Sequence, residues 1–204
     1  MPSRAETAEN RMFSPALVAI VAVCIVIVAA TVGAALWSNG AFLPRWVQWN
    51  TATLKVDTNG NNEIESVILS NRHLTIIDSS GNHYVTPNDW LVSDVNIGDM
   101  VGDGTPEVVA LLWAKEEGGG TYQLPVAGFL PGFSQYIYVF NYADGGIQPI
   151  WHSSPLDFEA VDVYSDSPCE LDVTLADGTV TIWEWNDPGL ILSGADSGAY
   201  VTVD

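Results

Sequence analysis

Three segments of the chain carry oxygen-bearing side chains at one shared spacing, and each segment leads into an apolar run. The residues are Asp57, Asn59, Asn61 and Glu65 in the first segment, Asp99, Asp103 and Glu107 in the second, and Asp162, Asp166 and Glu170 in the third. Oxygen ligands at alternate positions of a tight loop can converge on one hard cation, and Ca²⁺ takes about 6–8 oxygens. The spacing therefore predicts three loops that hold structural Ca²⁺.

Two other interpretations of these segments compete with calcium binding. An EF-hand would need a Glu at the twelfth position, where the chain has Ile68, Ala110 and Val173, and it would continue into a helix instead of a β-branched run. The Asp and Asn side chains could also form Asx-turns that satisfy backbone N–H groups without any metal. The EF-hand is excluded on these grounds, while the Asx-turn interpretation stays open.

The three segments do not match the calcium pattern equally well. The first is complete at its ligand positions, whereas Val101 removes a side-chain ligand from the second. In the third, Tyr164 stands at a ligand position and Ser167 at the position of the turn residue. Because hard-cation affinity depends on ligand number and charge, we expect the third loop to bind Ca²⁺ least well.

Short apolar or alternating runs surround these segments and predict β-strands. They lie at 67–70, 73–78, 83–86, 107–113, 135–142, 170–175, 179–185 and 200–203. The sequences Ser80-Gly81-Asn82, Asp144-Gly145-Gly146 and Asp177-Gly178 are typical of hairpin turns. No stretch of residues 51–204 shows sustained helical periodicity, so this region is predicted to be an all-β domain.

The acidic segments also define an internal repeat. Asp99 lies 42 residues after Asp57, and Asp162 lies 63 residues after Asp99, which indicates a unit of about 42 residues with an insertion of about 21 at 116–134. Units of about 40–50 residues with about four strands each are typical of propeller blades.

With this repeat, residues 51–204 resemble FG-GAP/VCBS-type repeats, the calcium-loop blades of β-propellers. The most specific stretch is IGDMVGDGTPEVVALLW at 97–113. The resemblance implies about three to four propeller-like blades with structural Ca²⁺ loops, three recognisable and a partial one from 41–56. It also implies a short, membrane-anchored bacterial protein, and it implies no activity.

Residues 15–37 form an uncharged apolar run ahead of this domain. As a helix these 23 residues would reach about 34 Å, enough for a bilayer core of about 30 Å. The run exceeds the usual apolar core of a cleaved signal peptide, about 7–15 residues, so a retained anchor is favoured over cleavage. Arg4 and Arg11 precede it and the acidic bulk follows, which predicts a cytoplasmic segment at 1–14, a connector at 38–50 and an extracytoplasmic domain at 51–204.

Charge and motif content narrow the function classes. The net charge of −19 repels nucleic acid and anionic lipid heads, and it suits cation binding, solubility or adaptation to high salt. No nucleophile elbow, phosphate loop or dinucleotide fingerprint is present in the sequence. We therefore expect a binding, adhesion or scaffold module for a protein or carbohydrate ligand at the cell surface, with residues 116–134 as its recognition element.

Two alternative functions stay open alongside that module. One is a two-carboxylate glycosidase that would use acids such as Asp157, Glu159, Glu184 and Asp187, since such acids need no local motif. The other is a purely structural repeat domain without metal. Oligomers are also possible, because three units fall short of the usual 4–8 blades.

The aromatic row of residues 135–142 offers either a sugar-stacking platform or core. Tyr136, Tyr138, Phe140 and Tyr142 share one face by period-two alternation, as do Trp183 and Trp185 in a later strand. Blades bury both faces between neighbours, so core packing is the favoured interpretation.

Overall fold

The computed structural model describes residues 15–38, 41, 43–61, 63–115, 133–143 and 146–193. The chain divides into two compact units, Met1–Phe42 and Leu43–Asp204. The described part of the first unit is dominated by helix α1, Pro15–Ser38. Within it, Pro15–Leu36 is long and apolar enough to cross a membrane, and none of that segment is buried. The prediction of one N-terminal apolar helix at 15–37 is confirmed to within one residue.

The second unit contains three antiparallel sheets, each built from four consecutive strands. The first sheet is β1 (Ala52–Val56), β2 (Glu65–Ser70), β3 (His73–Ile77) and β4 (His83–Val85). The second is β5 (Leu91–Gly98), β6 (Glu107–Ala114), β7 (Ser134–Ala143) and β8 (Gly146–His152). The third is β9 (Ala160–Tyr164), β10 (Glu170–Leu175), β11 (Val180–Asn186) and β12 (Gly189–Leu192). Within each sheet, every strand pairs with the next strand along the chain, so each sheet is a meander.

The second sheet lies between the other two, and its strand β6 is buried along its whole length. Val108, Ala110 and Leu112 belong to a core shared with the first sheet, whereas Val109 and Leu111 belong to a core shared with the third. Successive side chains of a strand point to opposite faces, so a strand covered on both sides needs an unbroken apolar run. This accounts for the continuous EVVALLWA sequence of β6.

The aromatic row on β7 is part of the core between the first and second sheets. Tyr136 and Phe140 are buried there, and Tyr138 packs against them. The ring of Tyr138 lies 4.5 Å from Trp90 and 5.9 Å from Phe140, measured between centroids. Tyr136, Tyr138 and Phe140 are therefore packed in the core, as favoured from the sequence, whereas Tyr142 is half-buried outside this cluster.

Residues 43–50, which fall in the connector expected at 38–50, pack on the β-rich unit. The rings of Trp46 and Trp113 lie 5.7 Å apart, and the Arg72 guanidinium lies 4.2 Å from the Trp49 ring centroid. The backbone N–H of Asn50 donates to a β5 carbonyl at 3.0 Å. In the structure, the compact unit begins at Leu43, eight residues earlier than the boundary expected from the sequence.

The prediction of a mostly β fold preceded by one helix is confirmed, and four strands per sheet agrees with the expected repeat unit. Strands β2, β3, β4, β6, β7, β10 and β11 match the predicted runs, whereas β1, β5, β8, β9 and β12 were not predicted as strands. The described residues form no closed propeller. The strand expected at 200–203 lies outside the described residues.

Candidate metal site

The three acidic segments all fall at the same topological place, between the first and second strands of a sheet. The first joins β1 to β2, the second joins β5 to β6, and the third joins β9 to β10. Each of these loops is flanked by antiparallel strands, which hold its two ends close together. The repeat predicted from spacing is thus a repeat of the first hairpin in each sheet.

The first loop is organised around one buried carboxylate, that of Glu65. This residue has no exposed surface, and its Oε2 accepts the backbone N–H of Thr58 at 2.7 Å while its Oε1 accepts the side-chain amide of Asn59 at 3.2 Å. At the other end of the loop, Asp57 Oδ1 accepts the backbone N–H groups of Asn59 at 3.4 Å and Asn61 at 3.2 Å. These are Asx-turn contacts.

The second loop repeats this arrangement around Glu107, which also has no exposed surface. Its Oε2 accepts the backbone N–H of Met100 at 2.7 Å and of Val101 at 3.3 Å, and its Oε1 accepts the amide of Asn141 at 2.9 Å. The two oxygens of Asp99 accept backbone N–H groups of the loop glycines at 2.7 and 3.1 Å. In both loops, therefore, the final Glu accepts the backbone N–H of the second loop residue at 2.7 Å.

The environment of Glu107 opposes its negative charge. Burial, with a smaller contribution from the nearby carboxylates of Asp103 and Asp99, raises the pKa of this carboxyl from 4.5 to about 7. The N–H groups of Val101 and Met100 act in the opposite direction. A group in this position is stabilised by either a proton or a cation.

A glycine at the fourth position is a further feature that the first two loops share. Gly60 has φ +68° and Gly102 has φ +79°, both in the left-handed region that residues with a Cβ rarely adopt. The calcium-loop pattern places the turn residue at the sixth position, so this glycine was not predicted to matter. The sequence did contain this signal, because the glycine is present in the first two segments and absent from the third.

The third segment is built differently, although its acids have the same spacing. Asp162 lies inside strand β9, directly opposite Thr174, whereas Glu170 begins β10. The four-residue offset between Thr174 and Glu170 corresponds to about 13 Å along the strand. The left-handed turn residue is Cys169, φ +60°. The structure therefore does not bring Asp162 and Glu170 together in one loop.

Asp162 instead faces a carboxylate of the second sheet. It hydrogen-bonds Asp94, and burial, this hydrogen bond and the charge of Asp94 raise the pKa of Asp162 to about 6. Asp94 is itself nearly buried, and its oxygens accept the Asn50 amide at 2.8 Å and the Val163 backbone N–H at 3.1 Å. Two carboxyl groups can share a hydrogen bond only when one is protonated.

The chain matches no model of a known protein family and no curated protein. The interpretation of the site therefore rests on its own geometry.

That geometry brings the three hairpin loops together at one end of the sheets. A Cβ added to Gly60 would lie 3.9 Å from the Thr105 hydroxyl of the second loop. The backbone N–H of Cys169 in the third segment donates to the carbonyl of Asp99 at 2.8 Å. We call the described residues of these loops, 57–61, 63–64, 99–106 and 165–169, the loop edge.

The donor chemistry of the first two loops suits a hard cation, because the side chains at the ligand positions present oxygen, with Val101 of the second loop as the exception. In the described structure those oxygens are turned toward the N–H groups of their own loops. Among the described residues, no three His, Cys, Asp or Glu side chains are grouped closely enough to hold a metal ion. Binding would thus require loop oxygens to turn from backbone N–H groups toward the ion.

Residues 116–132 of the expected recognition element lie outside the described residues, so its role stays a prediction. Of the four acids named for a glycosidase, Glu184 is exposed on β11, and Asp157 and Glu159 precede β9. Asp187 lies in the turn between β11 and β12.

Proposed function

We propose that this protein is a membrane-anchored binding or scaffold module, with α1 in the bilayer and the β-rich unit outside the cytoplasm. The observation that carries this proposal is an apolar helix with no buried residues, attached to a unit that has two cores of its own. Side chains such as Ile25 and Val26 are more than 60% exposed. A surface of this kind is stable in lipid and costly in water.

The orientation follows from the charges on either side of the helix. Arg4 and Arg11 precede it, and the acidic residues are concentrated after it. Positive residues favour the cytoplasmic side, so the β-rich unit is placed outside. In that location its partners are surface proteins or carbohydrates.

A binding or scaffold role is supported by the rigidity of the β-rich unit. Its second sheet is covered on both faces, and its loops extend from strands that are held in register. Loops on such a scaffold commonly carry recognition. Catalysis has no comparable support, because no motif of a known reaction class is present in the sequence.

We also propose that the first two loops of the loop edge bind Ca²⁺ as a structural ion, in line with the resemblance to calcium-loop repeats. Support comes from the shared arrangement around the buried Glu65 and Glu107 and from the raised pKa of Glu107. A divalent cation would offset the cost of these buried charges. In the bound state, Asp57 and Asp99 would supply further carboxylate oxygens.

Cysteine labelling tests the anchor and its orientation. In a full chain carrying Cys24→Ala and Cys169→Ser, the exposed hairpin residue Ser80 is replaced by Cys. Intact cells are treated with a membrane-impermeant maleimide, and permeabilised cells serve as the control. We expect labelling of intact cells and retention of the chain in membranes after alkaline extraction. Labelling only after permeabilisation would contradict the orientation, and release by alkali would contradict the anchor.

Ligand binding is tested with the full chain in lipid nanodiscs on glycan arrays and by cross-linking on intact cells. A chain retaining residues 1–42 fused to an unrelated domain is the matched control. We expect a glycan or surface protein that is bound by the full chain and not by the control. Release of cleaved glycan products would instead favour the glycosidase.

A further inference from the structure

The first sheet has an outer face that turns away from the second sheet and carries no carboxylate. Its alternate residues form rows across the strands, one of which is Lys55, Ser66, Ile77 and His83. The neighbouring row contains only Thr, Ile and Val and ends at Val85, which is 48% exposed. We call this surface the basic outer face. It is unusual in a chain with 25 acidic residues and only two lysines.

The third sheet has the opposite character on its outer face. Leu171, Val173 and Trp183 point into the core shared with the second sheet, so the residues between them point outward. Those outward residues include Glu170, Asp172 and Glu184 on neighbouring strands. We call this surface the acidic outer face.

The charges of the acidic outer face are not balanced within the described sheet. Glu170 and Glu184 lie directly opposite each other in the pairing of β10 with β11. Like charges in that position are destabilising. One oxygen of Asp172, Oδ1, is shielded from solvent and has no hydrogen-bond partner. A cationic group placed against this face would relieve both costs.

Apolar side chains accompany the acids on the same face. Tyr164 is 50% exposed, Ile182 is 44% exposed and Val180 is 52% exposed. Exposed β-branched and aromatic side chains on a sheet face are available for packing against a second sheet. The basic outer face offers matching apolar residues, including Ile77 and Val85.

We propose that the basic outer face of one copy of this chain packs on the acidic outer face of a second copy. Lys55 and His83 then lie against the carboxylates of Glu170, Asp172 and Glu184. Within the chain, the second sheet packs one face on the first sheet and its opposite face on the third. The proposed contact continues this order, because the free face of the third sheet meets the free face of the first sheet in the next copy. Charge complementarity selects the second copy as the partner.

The size of the faces favours two such contacts in a closed pair. A face of four strands about 4.8 Å apart and five residues long has a projected area of about 300 Å². One contact covers two such faces, and their combined area is below the roughly 1,000 Å² expected of a stable interface. Two copies joined head to tail make two contacts and cover about 1,200 Å², with six sheets in the ring.

Charge substitutions in the full chain test this dimer. Mass is measured in detergent micelles by light scattering, with the detergent contribution subtracted, over a range of protein concentrations. We expect a dimer that Lys55→Glu weakens by at least about tenfold in Kd, whereas Lys115→Glu, the same change at the other lysine, leaves it unaltered. Glu184→Lys should weaken it as well, and the double variant Lys55→Glu/Glu184→Lys should recover much of the affinity. Far-UV circular dichroism establishes that each variant is folded.

Cross-linking tests the head-to-tail geometry separately from the affinity. In the background without Cys24 and Cys169, one chain carries Val85→Cys and another carries Ile182→Cys. We expect a short bismaleimide to link the mixture and to leave each variant unlinked by itself. A monomer at all concentrations, a dimer insensitive to Lys55→Glu, or linkage between two Val85→Cys chains would each overturn the proposal.

Discussion

The first two hairpin loops and the third carry acids at one spacing, yet they differ in structure. In the first two, strand pairing stops at the first Asp, a glycine at the fourth position turns left-handed, and the last Glu is buried. In the third, strand β9 continues past Asp162, Ser165 stands at the fourth position, and Glu170 is only half-buried. Spacing alone therefore does not define a loop, because the turn residue decides where the strand ends.

The largest expected effect separates Glu107 from Glu170. Glu107→Ala removes the acceptor of two backbone N–H groups and one side-chain amide, and it should lower the free energy of unfolding by about 3 kcal/mol. Glu170→Ala removes one of two opposed like charges and should change it by less than about 0.5 kcal/mol. Urea denaturation followed by tryptophan fluorescence measures both.

Glu107→Gln is the control for this pair, because it keeps an acceptor in place and removes the charge. Its cost should be below that of Glu107→Ala. Equal destabilisation by Glu107→Ala and Glu170→Ala would mean that the second and third loops do not differ in the way described.

Calcium binding should distinguish the first two loops from the third by a slightly smaller change in the free energy of unfolding. An ion that binds only the folded chain stabilises it by about 2.7 kcal/mol at a hundredfold excess over Kd. For a unit of this size that corresponds to a rise of roughly 5–10 °C in melting temperature. The rise should disappear in the double variant Asp57→Ala/Asp99→Ala and persist in Asp166→Ala. A melting temperature that does not respond to Ca²⁺ or chelator would leave only the Asx-turn interpretation.

Glycine substitutions test the contact between the second loop and the third. Gly102 and Gly104 both have φ near +80°, so replacing either by Ala should cost about 1 kcal/mol in strain. A Cβ on Gly102 would also overlap the Cys169 sulfur, whereas one on Gly104 would meet open space. We expect Gly102→Ala to cost about 2 kcal/mol in total.

Cys169→Ala provides the control, because it removes the sulfur that the new Cβ would meet. In this background Gly102→Ala and Gly104→Ala should become equal in cost. If Gly102→Ala stays the more costly of the two, the overlap with Cys169 is not its cause.

The smallest effect concerns the pH response of Asp162 in the third segment. Its pKa in the folded chain, about 6, lies above its ordinary value of 3.8, so the folded state holds the proton more tightly. The stability gained from that proton is complete below about pH 4 and is lost as pH rises through about 6. Asp162→Asn should therefore raise the free energy of unfolding at pH 8 by on the order of 1 kcal/mol, after allowing for solvent screening of a partly exposed group.

This gain should vanish at pH 4, where Asp162 is already protonated in the wild-type chain. Thermal melts at pH 8 and pH 4 measure the difference. Asp166→Asn, on the exposed part of the same segment, is the matched control and should show no such pH dependence. A gain that is equal at both pH values would contradict the shared proton.

Local sequence patterns are enough to predict the apolar helix, the middle strands of each sheet and the edge strand β4. A continuous apolar run predicts a membrane-length helix at 15–37, and period-two or unbroken apolar patterns predict β2, β3, β4, β6, β7, β10 and β11. Each of these patterns lies within a single segment, because it consists only of the spacing of apolar side chains along that segment.

The first strands were not predicted, and strand β5 shows why. Its buried positions include Ser93 and Asp94, which no hydrophobic pattern would mark as strand interior. Asp94 is tolerated there because the amide of Asn50 and the backbone N–H of Val163, both distant in sequence, donate to it. Buried polar groups need partners, and only the folded chain supplies them.

The loop edge was likewise predictable from the sequence only in part. Spacing identified Glu65 and Glu107 as members of one pattern, but their burial depends on the backbone N–H groups that the turn directs at them. Spacing also grouped Asp162 with Glu170, which the register of β9 on β10 separates. Residue types determine which groups can bind a cation or a proton, whereas strand ends and sheet contacts determine which of those groups meet.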